Sequence, residues 1–183
     1  MARPRRYHDD VSDVVYLDVC CLKRPFDDQR QSRVQLETTA VAALVGLAEG
    51  GAIRLVRSAA HTLENERNPP EDRRLAAAIW LGAARVDVPF REAIAARARQ
   101  LEPLGFGPLD ALHTAYAEEA GARWLVTTDD RLQSLGRRHR QALRVEILGP
   151  IQALEASERG GAWTRPLVLS SRRTSSAGKA GSP

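Results

Sequence analysis

Four carboxylates, Asp18, Glu64, Asp110 and Asp129, each fall where an apolar run gives way to a turn or a helix. Asp18 closes Val14-Val15-Tyr16-Leu17, and Asp129 closes Trp124-Leu125-Val126-Thr127-Thr128. Such runs read as strands buried on both faces of a parallel sheet. In open α/β sheets, ligands gather beyond the carboxyl ends of the strands. Acids brought together there repel one another unless a cation lies among them. The pattern points to a Mg²⁺ or Mn²⁺ site, and so to phosphate chemistry.

Each acid also has a plainer reading. Asp18 can mark the turn out of its strand. Glu64 follows a strand-to-helix passage, Ser58 to Leu63, with Glu66 close enough to compete for its role, and acids on helices are usually solvated. Asp110 can offset a helix dipole, although its neighbours Leu109, Ala111 and Leu112 are all apolar. Asp129 can cap a helix over Asp130–Gly136 while still facing inward, with Asp130 beside it. Thr127-Thr128-Asp129-Asp130 sets two hydroxyls and two carboxylates at one strand end, a compact oxygen set for a hard cation. His113 shares a helix face with Asp110 and reads as a packed or hydrogen-bonded histidine, with a general-base role as the alternative. There is no Ser-His-Asp nucleophile motif, no P-loop and no zinc pattern.

The elements that must position these groups alternate. Strands are expected at Val14–Asp18, Ile53–Val56, Val86–Val88, Trp124–Thr128 and Val145–Leu148. Helical patterns lie between them: Arg33–Gly50, Ala59–Arg67, Arg73–Ala84, Arg91–Leu104, and one opening at Pro108 and ending at Gly121. Asn68-Pro69-Pro70 stops the second of these helices. The alternation predicts an α/β fold, a three-layer α/β/α sandwich on a central parallel sheet of four to five strands.

The chain of 183 residues, 43% hydrophobic, suits one domain. It divides into an arm over 1–13, a domain over 14–156 and a Gly/Ser/Arg-rich tail over 157–183 that reads as disordered. Trp163 and Leu167-Val168-Leu169 are the apolar exceptions in that tail. The net charge of +4 resides in the tail, with five basic groups against one acid, and the rest of the chain is neutral. The domain is therefore not a cationic platform, although Arg131, Arg137, Arg138, Arg140 and Arg144 form a dense basic stretch suited to steering a phosphate backbone. No apolar run approaches the ~18 residues that cross a bilayer, and the basic N-terminus is no secretory signal. Adjacent Cys20 and Cys21 exclude a disulfide framework and read as small buried hydrophobes. The cytosol is the expected compartment.

Val15-Tyr16-Leu17-Asp18-Val19-Cys20-Cys21-Leu22, followed by Arg24-Pro25-Phe26-Asp27-Asp28, resembles the opening of a bacterial PIN-domain protein. Asp110-Ala111-Leu112-His113 and Thr127-Thr128-Asp129-Asp130 resemble that family's third and fourth acidic motifs, in the right order, and the likeness runs from about Val14 to Glu155. It implies a VapC-like metal-dependent ribonuclease, often the toxin of a toxin–antitoxin pair. On the family pattern Asp18, Glu64, Asp110 and Asp129 bind one or two Mg²⁺ or Mn²⁺ ions, and Thr128 holds water or a phosphate oxygen. The implied partners are RNA, an antitoxin protein and a second copy in a homodimer. Glu37 is a further acid that faces the site in some arrangements. Lys23 and Arg24, just after the first acid, put unusual positive charge there, and Ala59-Ala60-His61 is a bland approach to Glu64. Two alternatives stand beside this reading: a catalytically silent PIN-like module that binds RNA or protein, and a haloacid-dehalogenase-like phosphatase. The latter wants an Asp where this chain has Cys20.

Overall fold

The computed structural model describes residues 12–67 and 71–159. Five strands alternate with eight α-helices in the order β1 Asp13–Leu17, α1 Val19–Lys23, α2 Ser32–Glu49, β2 Ile53–Ser58, α3 Ala59–Glu66, α4 Glu71–Leu81, β3 Val86–Val88, α5 Glu92–Leu101, α6 Pro108–Glu119, β4 Trp124–Val126, α7 Asp130–Arg138, β5 Glu146–Leu148 and α8 Pro150–Arg159. All strand pairs are parallel, in the order β3-β2-β1-β4-β5. The expected three-layer α/β/α architecture is present.

Burial follows strand position. The last three residues of β1 and all of β4 are buried, as expected for central strands covered on both faces, while the edge strands β3 and β5 each expose a residue. Alternation along β1 splits the core in two. Tyr16 packs with residues of α5, α6 and α7, whereas Val15 and Leu17 pack with α1, α2, α4 and α8. Val34, Glu37, Val41, Leu44, Val45 and Ala48 form the buried stripe of α2 at helical spacing.

The order in which successive strands join the sheet reverses between β1 and β4. β2 and β3 extend to one side of β1, and β4 and β5 to the other. A crevice opens beyond the carboxyl ends of the strands at such a switch point. Register sets its residues: Leu17 pairs with Val126, so Asp18 and Thr127 leave their strands side by side.

Most boundaries shift by one to three residues, β2 for example running on to Ser58, and three differences matter more. β4 ends at Val126, two residues early, so Thr127 and Thr128 belong to the turn. α1 is a helix of five residues, too short to leave a periodic signature. α8 reaches Arg159 with Ser157 buried, past the position where the tail was expected to begin. The rest of that tail, including Trp163 and Leu167-Val168-Leu169, residues 1–11 of the arm, and Asn68-Pro69-Pro70 lie outside the described residues. No described helix is long and apolar enough to cross a membrane.

Candidate metal centre

Asp18, Glu64, Asp110 and Asp129 all line one cleft at the switch point, together with Cys20, Lys23, Arg67 and Leu109. They arrive from four places in the chain. Asp18 follows β1, Glu64 lies two turns into α3, Asp110 sits in the first turn of α6, and Asp129 precedes α7.

Asp18 is buried and held in place. The Thr127 hydroxyl donates to its Oδ2 at 2.8 Å, and the Cys20 thiol donates to the same oxygen at 3.1 Å. The backbone N–H of Asp18 continues the sheet by donating to the Val126 carbonyl at 2.9 Å. Thr127 also accepts from the Asp129 N–H at 3.1 Å, so one hydroxyl ties the first acid to the turn that carries the fourth.

Asp129 caps α7. Its Oδ1 accepts from the N–H groups of Arg131 at 2.7 Å and Leu132 at 3.1 Å, while the residue remains in the cleft. Asp130 turns elsewhere and accepts from the two terminal guanidinium nitrogens of Arg33, at 2.7 and 2.6 Å. Thr128 is half-buried, and its backbone N–H contacts the Cys20 sulfur at 3.3 Å. The hydroxyl that reaches Asp18 is therefore that of Thr127.

Asp110 is half-buried, with Arg131 Nη1 donating to its Oδ2 at 3.2 Å. Gly107 at the N-cap permits this placement, since a β-carbon there would lie 3.1 Å from the same oxygen. Arg131 Nη2 donates to the carbonyl of Gly105 at 2.6 Å, and Gly105 holds a left-handed φ of 97°. Burial raises the Asp110 pKa, and the charges of Asp18 and Asp129 raise it further. Three carboxylates at this end of the cleft thus repel one another.

Glu64 has the opposite surroundings. Lys23 Nζ donates to its Oε1 at 3.1 Å, and His113 Nε2 donates to its Oε2 at 2.9 Å. Burial alone would raise its pKa, but the hydrogen bonds and positive charge of His113 and Lys23 outweigh burial and lower it. Glu66, the competing acid, is exposed and faces a different hollow between α3 and α4. Glu37 is buried and neutralised away from this cleft. It accepts from Arg24 through Nε at 2.6 Å and through Nη2, and from Arg33 Nε at 2.8 Å.

Behind Glu64 runs a buried polar chain. His113 Nδ1 is hydrogen-bonded to the Tyr16 hydroxyl at 2.7 Å, which meets Ser58 Oγ at 2.7 Å. His61 accepts the Ser58 N–H at Nδ1 (3.1 Å), which leaves Nε2–H to donate to the Leu17 carbonyl at 2.7 Å. Burial opposes charge on both rings. For His61 it prevails and lowers the pKa to about 4. For His113 the Glu64 hydrogen bond and the charges of Asp18, Glu64 and Asp110 outweigh burial, and its pKa is raised.

The donor set fits a divalent ion. One ligand atom each from Asp18, Glu64 and His113 lies within 4.8 Å of the others. Carboxylate oxygens suit Mg²⁺ and Mn²⁺, while His113, with Nε2 donating to Glu64 and Nδ1 bonded to Tyr16, orients that carboxylate. Sequence reasoning did not single out Thr127, whose hydroxyl reaches Asp18, read Cys20 as a buried hydrophobe although it lines the cleft, and did not place Tyr16. These relations cross between strands and helices, and spacing within one segment does not contain them.

Compared with protein-family models, residues 15–138 match the one described as PIN domain. Comparison with the curated proteins gave no match.

Proposed function

This chain belongs to the PIN-domain family, a family of nucleases that use divalent metal ions, and from that footing we propose that it is a metal-dependent endoribonuclease hydrolysing RNA phosphodiester bonds. One observation carries the reading: four acids from distant parts of the chain line a single cleft at the sheet's switch point. The family membership removes the ground for the phosphatase alternative.

Asp18, Glu64, Asp110 and Asp129 are the proposed holders of one or two Mg²⁺ or Mn²⁺ ions, which supply an acidified water and neutralise charge on the phosphate. The protein's own groups prepare the site. Thr127 and Cys20 fix Asp18 through Oδ2, and its Oδ1 has no hydrogen bond among the described residues. Asp129 is anchored through Oδ1 by the α7 amides, which sets its height at the cleft. Thr128, directly before Asp129, is proposed to hold the attacking water or a phosphate oxygen. Arg67, in the cleft lining, and Arg131, paired with Asp110, are proposed to meet the RNA backbone, and α7 carries Arg137 and Arg138 about 10 Å further along the helix.

As further parts of the same reading, the protein is the toxin of a toxin–antitoxin pair in the cytoplasm, its antitoxin covers the acidic cleft, and it forms a homodimer. Incubating the purified chain with a defined RNA in Mn²⁺, with and without EDTA, tests the activity. Cleavage that requires the metal supports it. RNA left intact while the protein still binds that RNA favours the silent RNA-binding module instead.

A further inference from the structure

Charge in the cleft is balanced at one end and not at the other. Both oxygens of Glu64 are occupied by donors of this chain, Lys23 Nζ and His113 Nε2. At the other end Asp110 lines the cleft with Asp18 and Asp129, and among the described residues Arg131 is the cation that pairs with it. That guanidinium is more than half exposed and is shared with the Gly105 carbonyl.

Lys23 is placed for this by construction. It ends α1, the five-residue helix that begins directly after Asp18, and the buried side chains of Cys21 and Leu22 pin that helix to the core. The next residue, Arg24, is engaged by Glu37 and Asp27. Among the described residues, Glu64 is the acid that Lys23 pairs with. A second dication entering beside Glu64 would have to expel the ammonium or share an oxygen with it against like charge, while the His113 proton occupies the other oxygen.

We infer that Lys23 is a built-in counter-cation standing in for a second divalent ion, so that the cleft loads one ion, at the end formed by Asp18, Asp110 and Asp129. The inference rests on the reading of the cleft as a divalent-ion site. Lys23 and His113 hold Glu64 as a fixed, neutralised wall, and Asp18 belongs to both ends. Positive charge at the Glu64 end is then supplied at every metal concentration.

Calorimetric titration of the full metal-stripped chain with Mn²⁺ counts the ions directly. The expected result is one ion for the wild type, one for Lys23→Arg, and two for Lys23→Met, which keeps the apolar stem and removes the charge. Two ions in the wild type, or one in a folded Lys23→Met, overturns the inference and leaves the divalent-ion reading standing. If Lys23→Met does not fold, as circular dichroism would show, the counts for wild type and Lys23→Arg decide, and two ions in either refutes the role. No binding to the wild type would remove the divalent-ion reading itself.

Discussion

Thr127 donates its hydroxyl hydrogen to Asp18 Oδ2 at 2.8 Å, across a strand pair whose two partners lie more than a hundred residues apart in the chain. The Thr127 hydroxyl oxygen in turn accepts the N–H of Asp129. A single buried side chain thus sets the positions of two of the four acids. Thr127→Val keeps the shape and removes both bonds. It is expected to cost about 1–2 kcal/mol in denaturant unfolding and to weaken Mn²⁺ binding. Thr128→Val, by contrast, leaves stability near the wild-type value and lowers RNA cleavage. Equal stability losses from the two variants would contradict this division of labour.

Tyr16 joins the two sides of the buried polar chain, since its hydroxyl meets both Ser58 and His113. Tyr16→Phe leaves the buried His113 Nδ1 without its partner, while Ser58 Oγ keeps His61, at a cost of about 1–3 kcal/mol. It also frees the His113 ring that holds Glu64. Chemical denaturation, together with the NMR signal of the His113 ring, reads both effects. A stability equal to wild type would show that the chain does not act as a connected unit.

His61 predicts a pH dependence. Its folded pKa of about 4 lies below the ordinary 6.5, so the unfolded state binds the extra proton between these values. Its contribution is complete above pH 6.5 and is lost as the pH falls toward 4, by roughly 3 kcal/mol in total. His113 works in the opposite direction. Its raised folded pKa contributes stability at low pH that disappears as the pH rises through that value. The difference between wild type and His61→Gln isolates the first effect: measured from pH 8 to pH 4, the wild type should lose stability faster. Parallel curves would contradict it.

Glu37 sets a limit on the catalytic set. It is 4% exposed and accepts from Arg24 and Arg33, while Arg33 also grips Asp130 at the start of α7. Glu37→Ala removes the buried acceptor that Arg24 and Arg33 share, leaves Arg24 to Asp27 and Arg33 to Asp130, and should cost about 1–3 kcal/mol. The number of Mn²⁺ ions bound should not change. A stable Glu37→Ala protein with altered metal stoichiometry would place Glu37 in the metal centre after all.

How much of this was legible beforehand depends on whether a feature is local. Asp18 and Asp129 stood out because each ends a run buried on both sides, and a charge there needs an explanation. The sheet and its layers followed from the alternation of such runs with helical stripes. Which of two adjacent threonines turns inward depends on the register of β1 against β4, a relation between segments far apart in sequence. The pairing of His113 with Glu64, and of Lys23 with the same carboxylate, has the same character. Lys23 was visible as an oddity of charge, but its partner was not. Helix α1 was missed because five residues are too few to show a period.

The central claim is that carboxylates gathered at the switch point between β1 and β4 hold a divalent ion that cuts RNA. Asp18→Asn tests it most directly, because the amide keeps the shape and an acceptor while removing the charge. The variant should fold like the wild type by circular dichroism and lose Mn²⁺-dependent cleavage of a defined RNA. Undiminished cleavage by a folded Asp18→Asn protein would contradict the account.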